Sequence, residues 1–330
     1  MSDVGSGAVP LVELWRGGRL ESQHRGHAVI CDASGVVESW GDPTAVIYPR
    51  SSCKMIQALP LLETGAGAGL SERQLALACA SHQGSAMHVA AVRDWLADMG
   101  LSEGDLRCGN QEPGDIPERN RLICTGDSAC QLHNNCSGKH AGFLMLNKHL
   151  GGGSEYVEVD HPVQRAVRAA FEEVTGETSP GYGIDGCSAP NFATSVQGLA
   201  RAMAAFANAT DDSARGRAMV RLRSAMPRHP EMVAGETRAC TELMRVMDGV
   251  AIKTGAEAVF VAIVPQKRLG IALKIADGGT RAAEAAVVAL LARVGVLDPA
   301  LPMAQKRLGA PLRNWRGLAW GELRRAGGFC

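Results

Sequence analysis

The placement of the strand-like residues constrains this chain most. HAVICDASGVVESWG (27–41) holds two β-branched runs joined by Asp32-Ala33-Ser34-Gly35, a composition that favours a tight turn between antiparallel strands. EAVFVAIVPQKRLGIALKIADG (257–278) repeats the pattern near the other end, with its turn around Pro265 to Gly270. Two hairpins so far apart in sequence can share one sheet. Between them the pattern turns helical: Asp160-His161-Pro162 reads as a cap followed by proline in the first turn, and Val163, Val167, Ala170 and Val174 then fall on one face. SERQLALACASH (71–82), HVAAVRDWLADMG (88–100), LARAMAAFANA (199–209) and TRAAEAAVVALLARVG (280–295) read the same way. The expectation is an α/β chain in α+β arrangement, an antiparallel sheet with packed helices and a helical lobe. Its sheet-forming parts lie near 10–50 and 250–325, and 51–249 is mostly helical. No fixed-period repeat or low-complexity linker divides the 330 residues, so they are read as a single domain.

Charge narrows the partners. Lys plus Arg equal Asp plus Glu at 34 each, and the basic residues are dispersed, so no field gathers nucleic acid or an anionic membrane. A small, weakly charged partner is expected. The start, MSDVGSGAVPLVELW, lacks a basic segment followed by a long apolar one, and no run of about 18 apolar residues occurs. A soluble, cytoplasmic protein is expected. In a reducing compartment its ten cysteines are buried thiols, reactive thiols or metal ligands rather than disulfides.

Five stretches hold residues able to do chemistry. In RSSCK (50–54) a helix beginning near Ser51 places Lys54 on the same face, where its amine can approach the serine hydroxyl. A lysine made neutral by burial or by a neighbouring cation can activate such a serine. About two hundred residues on, Lys253-Thr254-Gly255 stands at the mouth of an expected strand. Ser-x-x-Lys with a distant Lys-Thr-Gly is the pairing of penicillin-recognising serine enzymes. The third element of those enzymes, Ser-Asp-Asn, is missing, although Ser81-His82-Gln83 follows a helical segment and offers a hydroxyl. In NNCSGKH (134–140), Cys136 is a nucleophile, a metal ligand or a small core residue, and residue type alone favours the core. GIDGCSAP (183–190) adds Asp185 and Cys187 in a loop bounded by glycine and proline. Two thiolates from separate loops suit zinc, but without Cys-x-x-Cys the metal signal is weak. His24, His27, His88, His133, His149, His161 and His229 show no ligand spacing; His82 and His140 gain weight only by bordering these stretches.

Taken in order, ESQHRGHAVICDASG, RSSCKMIQALPLLETG, LACASHQGS, LRCGN, NNCSGKHAGFL, DHPVQ, GIDGCSAP, HPEMVAGETRACTELM and KTGAEAVFV resemble the rhizobial-type L-asparaginases, also called class 3 or the asparaginase II family. The resemblance runs from about residue 11 to residue 325, and NCSGKH, DGCSAP and PEMVAGE are its most specific pieces. It implies a fold similar to serine β-lactamases and bacterial glutaminases, and hydrolysis of L-asparagine to L-aspartate and ammonia. It implies Ser51 as the acylated nucleophile paired with Lys54, and Ser81 paired with Lys253 facing them. It further implies Cys136, Lys139 and Cys187 as metal positions for Zn2+, Arg50, His140 and Asp185 near the substrate, and a homodimer. Cys53, beside Lys54, departs from the family pattern without removing a catalytic group. Three rivals stay open: a β-lactamase, transpeptidase-like or glutaminase-type acylase; a non-catalytic zinc-dependent amino-acid-binding protein; and a cysteine hydrolase using Cys136.

Overall fold

The structure is a computed structural model that describes residues 4–330. Its strands are β1 (Val9–Arg16), β2 (Arg19–Asp32), β3 (Gly35–Trp40), β4 (Val46–Ile47), β5 (Tyr182–Ile184), β6 (Pro190–Phe192) and β7 (Thr194–Ser195). Near the C-terminus follow β8 (Ala251–Thr254), β9 (Val259–Val264), β10 (Leu269–Ile275), β11 (Pro311–Arg313) and β12 (Ala319–Arg325). Eight of them form one antiparallel sheet in the order β11-β12-β1-β2-β10-β9-β8, with β3 also paired to β2. The two expected hairpins are therefore β2–β3 and β9–β10. They join directly, with Ile271 opposite Ile30 and Leu273 opposite Ala28.

The fourteen residues of β2 serve three partners in sequence. Arg19 to Gly26 pair with β1, and Gly26 to Cys31 lie against β10, while β3 takes Ala28 to Asp32 from the other side. Every residue of β9, VFVAIV, is buried, so both sheet faces are covered there, which explains an apolar run without alternation.

The helices that matter for the site follow the chain: α1 (Lys54–Gln57), α2 (Leu59–Glu63), α3 (Glu72–Ala78), α4 (Ala86–Asp98), α5 (Ile116–Thr125), α6 (Ser137–Leu150) and α7 (Pro162–Thr175). Next come α8 (Val196–Asn208), α9 (Ala214–Arg228), α10 (Pro230–Ala234), α11 (Ala239–Met244), α12 (Thr280–Arg293) and α13 (Pro302–Gln305). In α7 the His161 side chain accepts the Val163 N–H, proline occupies the first turn, and Val163, Val167, Ala170 and Val174 are buried. The 3.6-residue period thus marked the core face.

Helix α8 lies across β2, β9 and β10, closely enough that a Cβ on Gly270 would sit 2.0 Å from the Ala204 nitrogen. Helix α12 covers β1, β9, β10 and β12. Among the described residues no helix is long and apolar enough to cross a membrane.

Candidate active site

Five segments converge. They are the turn before α1, the loop leaving α3, the start of α6, the β5–β6 loop and the end of β8. RSSC (50–53) forms a 3-10 turn running into α1, which carries Lys54 inward until its side chain is 1% exposed. Gly255 lets β8 end against this turn, since a Cβ there would lie 2.6 Å from the Pro49 carbonyl oxygen and 3.1 Å from the Ser52 nitrogen. The glycine of Lys-Thr-Gly is a packing requirement. Gly138 does the same for α6 against α3, where a Cβ would stand 2.5 Å from the Leu77 oxygen.

Of the two expected pairs Ser81–Lys253 forms, while Lys54 turns from Ser51 to the same Ser81. Lys54 Nζ donates to Ser81 Oγ at 3.0 Å, to Cys136 Sγ at 3.1 Å and to the Ala80 carbonyl oxygen. Lys253 Nζ donates to the same Ser81 Oγ at 2.9 Å and to the Thr254 oxygen at 2.8 Å. Ser81 therefore lies between two amines, and its backbone N–H is fixed on Val233 O at 2.8 Å. Ser51 is partly exposed, and its hydroxyl has no hydrogen-bond partner among the described residues. The tight turn and α1 direct the Lys54 amine to a residue 27 positions away, so the three-residue spacing did not reveal its partner.

Two buried amines on one hydroxyl cannot both hold protons cheaply. Burial, and then the Lys54 charge, lower the Lys253 pKa from 10.5 to about 7, which makes this amine a base near neutral pH. The Ser81–Lys253 contact has the form of an activated hydroxyl and its base.

Behind Lys54 lie the thiols. Lys139 Nζ is 3.1 Å from Cys187 Sγ, and the Cys136 thiol donates to Asn135 Oδ1 at 3.0 Å. The Cys136 side chain holds Cys187 well below the usual thiol range against the opposing effect of burial, and Lys139 adds to it. Burial acts to lower the Lys139 pKa, but the two sulfurs outweigh it and raise the value. Cys187 and Lys139 thus form a buried thiolate–ammonium pair. Burial raises the Asp185 carboxyl, but the Lys139 charge and then the Arg50 guanidinium, whose Nη2 and Nε donate to Asp185 Oδ1 at 2.8 Å and 3.0 Å, hold it below its usual range. Burial and then Lys139 keep His140 neutral.

The zinc positions can be tested on these contacts. Among the described residues no three His, Cys, Asp or Glu side chains are placed to hold a metal, so an ion here needs the Lys139 amine as a donor. Two sulfurs, one already anionic, and an adjoining amine fit a soft divalent ion once Lys139 gives up its proton.

Three contributing residues carried no sequence signal. Asn191, in β6, accepts the Arg50 backbone N–H at 3.1 Å through Oδ1. It holds Arg50 at φ +52, a left-handed conformation costly for a side-chain residue, immediately before Ser51. Tyr156 hydrogen-bonds to His140, and Asn135 lends its carbonyl to Lys54 at 3.5 Å. All three lie in loops or a short strand, where no periodicity marks them.

A cleft of about 670 Å³ elsewhere is lined by Arg223, Arg228, Glu231 and Arg245. Its arginines are occupied, Arg228 by Glu72, Arg245 by Glu236 and Arg223 by the Phe206 and Ala207 carbonyls. None of the serine–lysine contacts lies there.

A search of curated proteins finds no match. Among solved structures, a β-lactamase from Mycobacterium bovis is similar over 82% of this chain and 95% of that one, at 15% identity and a TM-score of 0.45. The octameric penicillin-binding protein homologue from Pyrococcus abyssi aligns over 88% and 80%, at 14% identity and a TM-score of 0.45. The protein designated Mglu aligns over 88% and 72%, at 12% identity and a TM-score of 0.46. The family model described as L-asparaginase II matches residues 12–325, nearly the whole length. By that match the chain belongs to the L-asparaginase II family.

Proposed function

We propose that this protein is an amidohydrolase that converts L-asparagine to L-aspartate and ammonia through an acyl-enzyme. The observation that carries the proposal is Ser81 Oγ held between Lys54 and Lys253, with the pKa of the second amine lowered to about 7. Ser51, the more accessible serine, attacks the side-chain amide carbon. Its Oγ–C bond forms as its proton passes by way of a water to the lysine pair, neither amine touching Ser51 directly, and the C–N bond then breaks as that proton goes to the departing amide nitrogen and frees ammonia. Water adds to the aspartyl ester, losing its proton to Lys253 by way of Ser81, and the ester C–O bond breaks as that proton is returned to Ser51 Oγ. The Ser51 backbone N–H stabilises the oxyanion, the Arg50 and Ser52 N–H groups being taken by Asn191 Oδ1 and the Pro49 oxygen. Arg50, Asp185 and His140 bind the ends of the amino acid.

Zinc bound at Cys136, Lys139 and Cys187 would supply positive charge beside the substrate. The cytoplasmic location and the homodimer implied by the resemblance belong to the same proposal.

Ser81 as the attacking group is a second reading, favoured by the two amines that touch it. One experiment separates them. L-asparagine is mixed with enzyme, quenched in acid, and the aspartyl ester is located by peptide mass. An ester on Ser51, with ammonia release lost in Ser51→Ala, supports the first reading. An ester on Ser81 supports the second. No ester and no ammonia from the zinc-loaded wild type sinks both and brings forward the amino-acid-binding protein.

A further inference from the structure

Tyr156, in the loop between α6 and α7, is fully buried, and its hydroxyl has two neighbours. The Arg107 backbone N–H donates to Oη at 2.8 Å, and His140 Nδ1 lies 2.9 Å from it. A phenol has one proton to give. With the Arg107 N–H already donating to the oxygen, the only acceptor for that proton among the described residues is His140 Nδ1. Nδ1 is therefore the bare nitrogen, and a neutral ring carries its hydrogen on Nε2.

Nε2 is buried and has no partner among the described residues. An imidazole N–H left so is destabilising, which proteins tolerate where a ligand completes the bond. The ring follows Lys139 in the first turn of α6, where the lysine amine lies 3.1 Å from Cys187 Sγ in the site. The Tyr156 loop is itself tied down: Gln164 Nε2 donates to the Tyr156 carbonyl at 2.8 Å, and Arg107 reaches Glu155 at 2.8 Å.

We propose that Tyr156 is a positioning residue that locks the His140 tautomer, so that Nε2–H is presented as a donor to an oxygen of the bound amino acid. The donor role rests on the asparaginase reading above; the lock does not. The opposite tautomer turns a lone pair toward that oxygen, and a ring without the tyrosine is free to turn.

Two measurements test it. In protein labelled with 15N-histidine, the His140 ring shows an unprotonated, hydrogen-bonded Nδ1 and a protonated Nε2, and Tyr156→Phe shifts the Nδ1 signal. A protonated Nδ1 in the wild type overturns the lock whether or not ammonia is released. In kinetics, Tyr156→Phe raises KM for L-asparagine about tenfold, about 1.4 kcal/mol, with kcat changed less than about twofold. His140→Gln keeps an amide donor near the Nε2 position without needing the tyrosine, so in that background Tyr156→Phe adds less than about twofold. A tyrosine effect of equal size in both backgrounds, or an unchanged KM, refutes the positioning role and leaves Tyr156 a structural residue. If the wild type releases no ammonia, the asparaginase reading fails separately, and the nitrogen spectrum still decides the lock.

Discussion

Replacing Lys253 with methionine should alter the pH dependence of stability in a calculable way. In the unfolded chain this amine titrates at its ordinary 10.5, and in the folded protein at about 7, because of burial and the Lys54 charge. Its stability contribution is complete above pH 10.5, where both states are neutral. It is lost as pH falls from 10.5 through 7, because the unfolded chain takes up the proton first, and is flat below. At 1.36 kcal/mol per unit the full swing is about 5 kcal/mol, and the portion between pH 6 and pH 9 is about 2 to 3 kcal/mol. Methionine fills a similar volume and does not titrate, so the variant lacks this dependence while every other group is shared. Urea unfolding of both proteins at pH 6, 7.5 and 9 isolates the contribution. The stability of Lys253→Met relative to wild type is greatest at pH 6 and falls by about 2 to 3 kcal/mol at pH 9. Curves that differ by a constant refute the reasoning, since the amine then titrates at its ordinary value and is no base near pH 7. In active enzyme, kcat/KM rises with pH and levels off above about 7, as the same amine loses its proton.

Gly255→Ala should cost about 1–3 kcal/mol in thermal or urea unfolding and reduce kcat sharply, because the new methyl displaces the turn that carries Ser51; an unchanged melt and rate would mean the turn yields freely. Asn191→Ala frees Arg50 from its left-handed conformation and should lower kcat at least tenfold with about 1–2 kcal/mol of lost stability. A kcat equal to wild type shows that Ser51 is placed without it. Cobalt(II) added to metal-free protein should bind at about one ion per chain with a sulfur-to-metal absorption band, absent in Cys187→Ala; a band of equal strength in that variant removes Cys187 from the metal site.

Much of the architecture could be read because its signals are local. Asp32-Ala33-Ser34-Gly35 and the Pro265–Gly270 turn lie between apolar runs long enough to need partners, and α7 repeats its apolar residues with helical period. The β11–β12 edge escaped notice as separate strands because PLR and AWGELRR are short and half exposed, so burial imposes no clean alternation. The site was legible as a set of residues and not as a set of contacts. Spacing suggested that Lys54 would serve Ser51, yet the 3-10 turn, held by Asn191 and the Arg50–Asp185 pair, turns the amine toward Ser81. Partners 27 and 172 residues away along the chain leave no trace in local spacing. Tyr156 and Asn191 act through single hydrogen bonds from irregular backbone, where residue type alone marks nothing.

Taken end to end, the contacts run from Lys253 through Ser81 and Lys54 to Cys136, with the Lys139–Cys187 pair beside them in the same buried site. Charge at the sulfurs is felt at Lys253, whose pKa the Cys136 sulfur acts to raise, so a cation bound at the sulfurs would act on the amine's basicity. Cation occupancy at one end and basicity at the other are linked variables, each shifting the other by the same free energy.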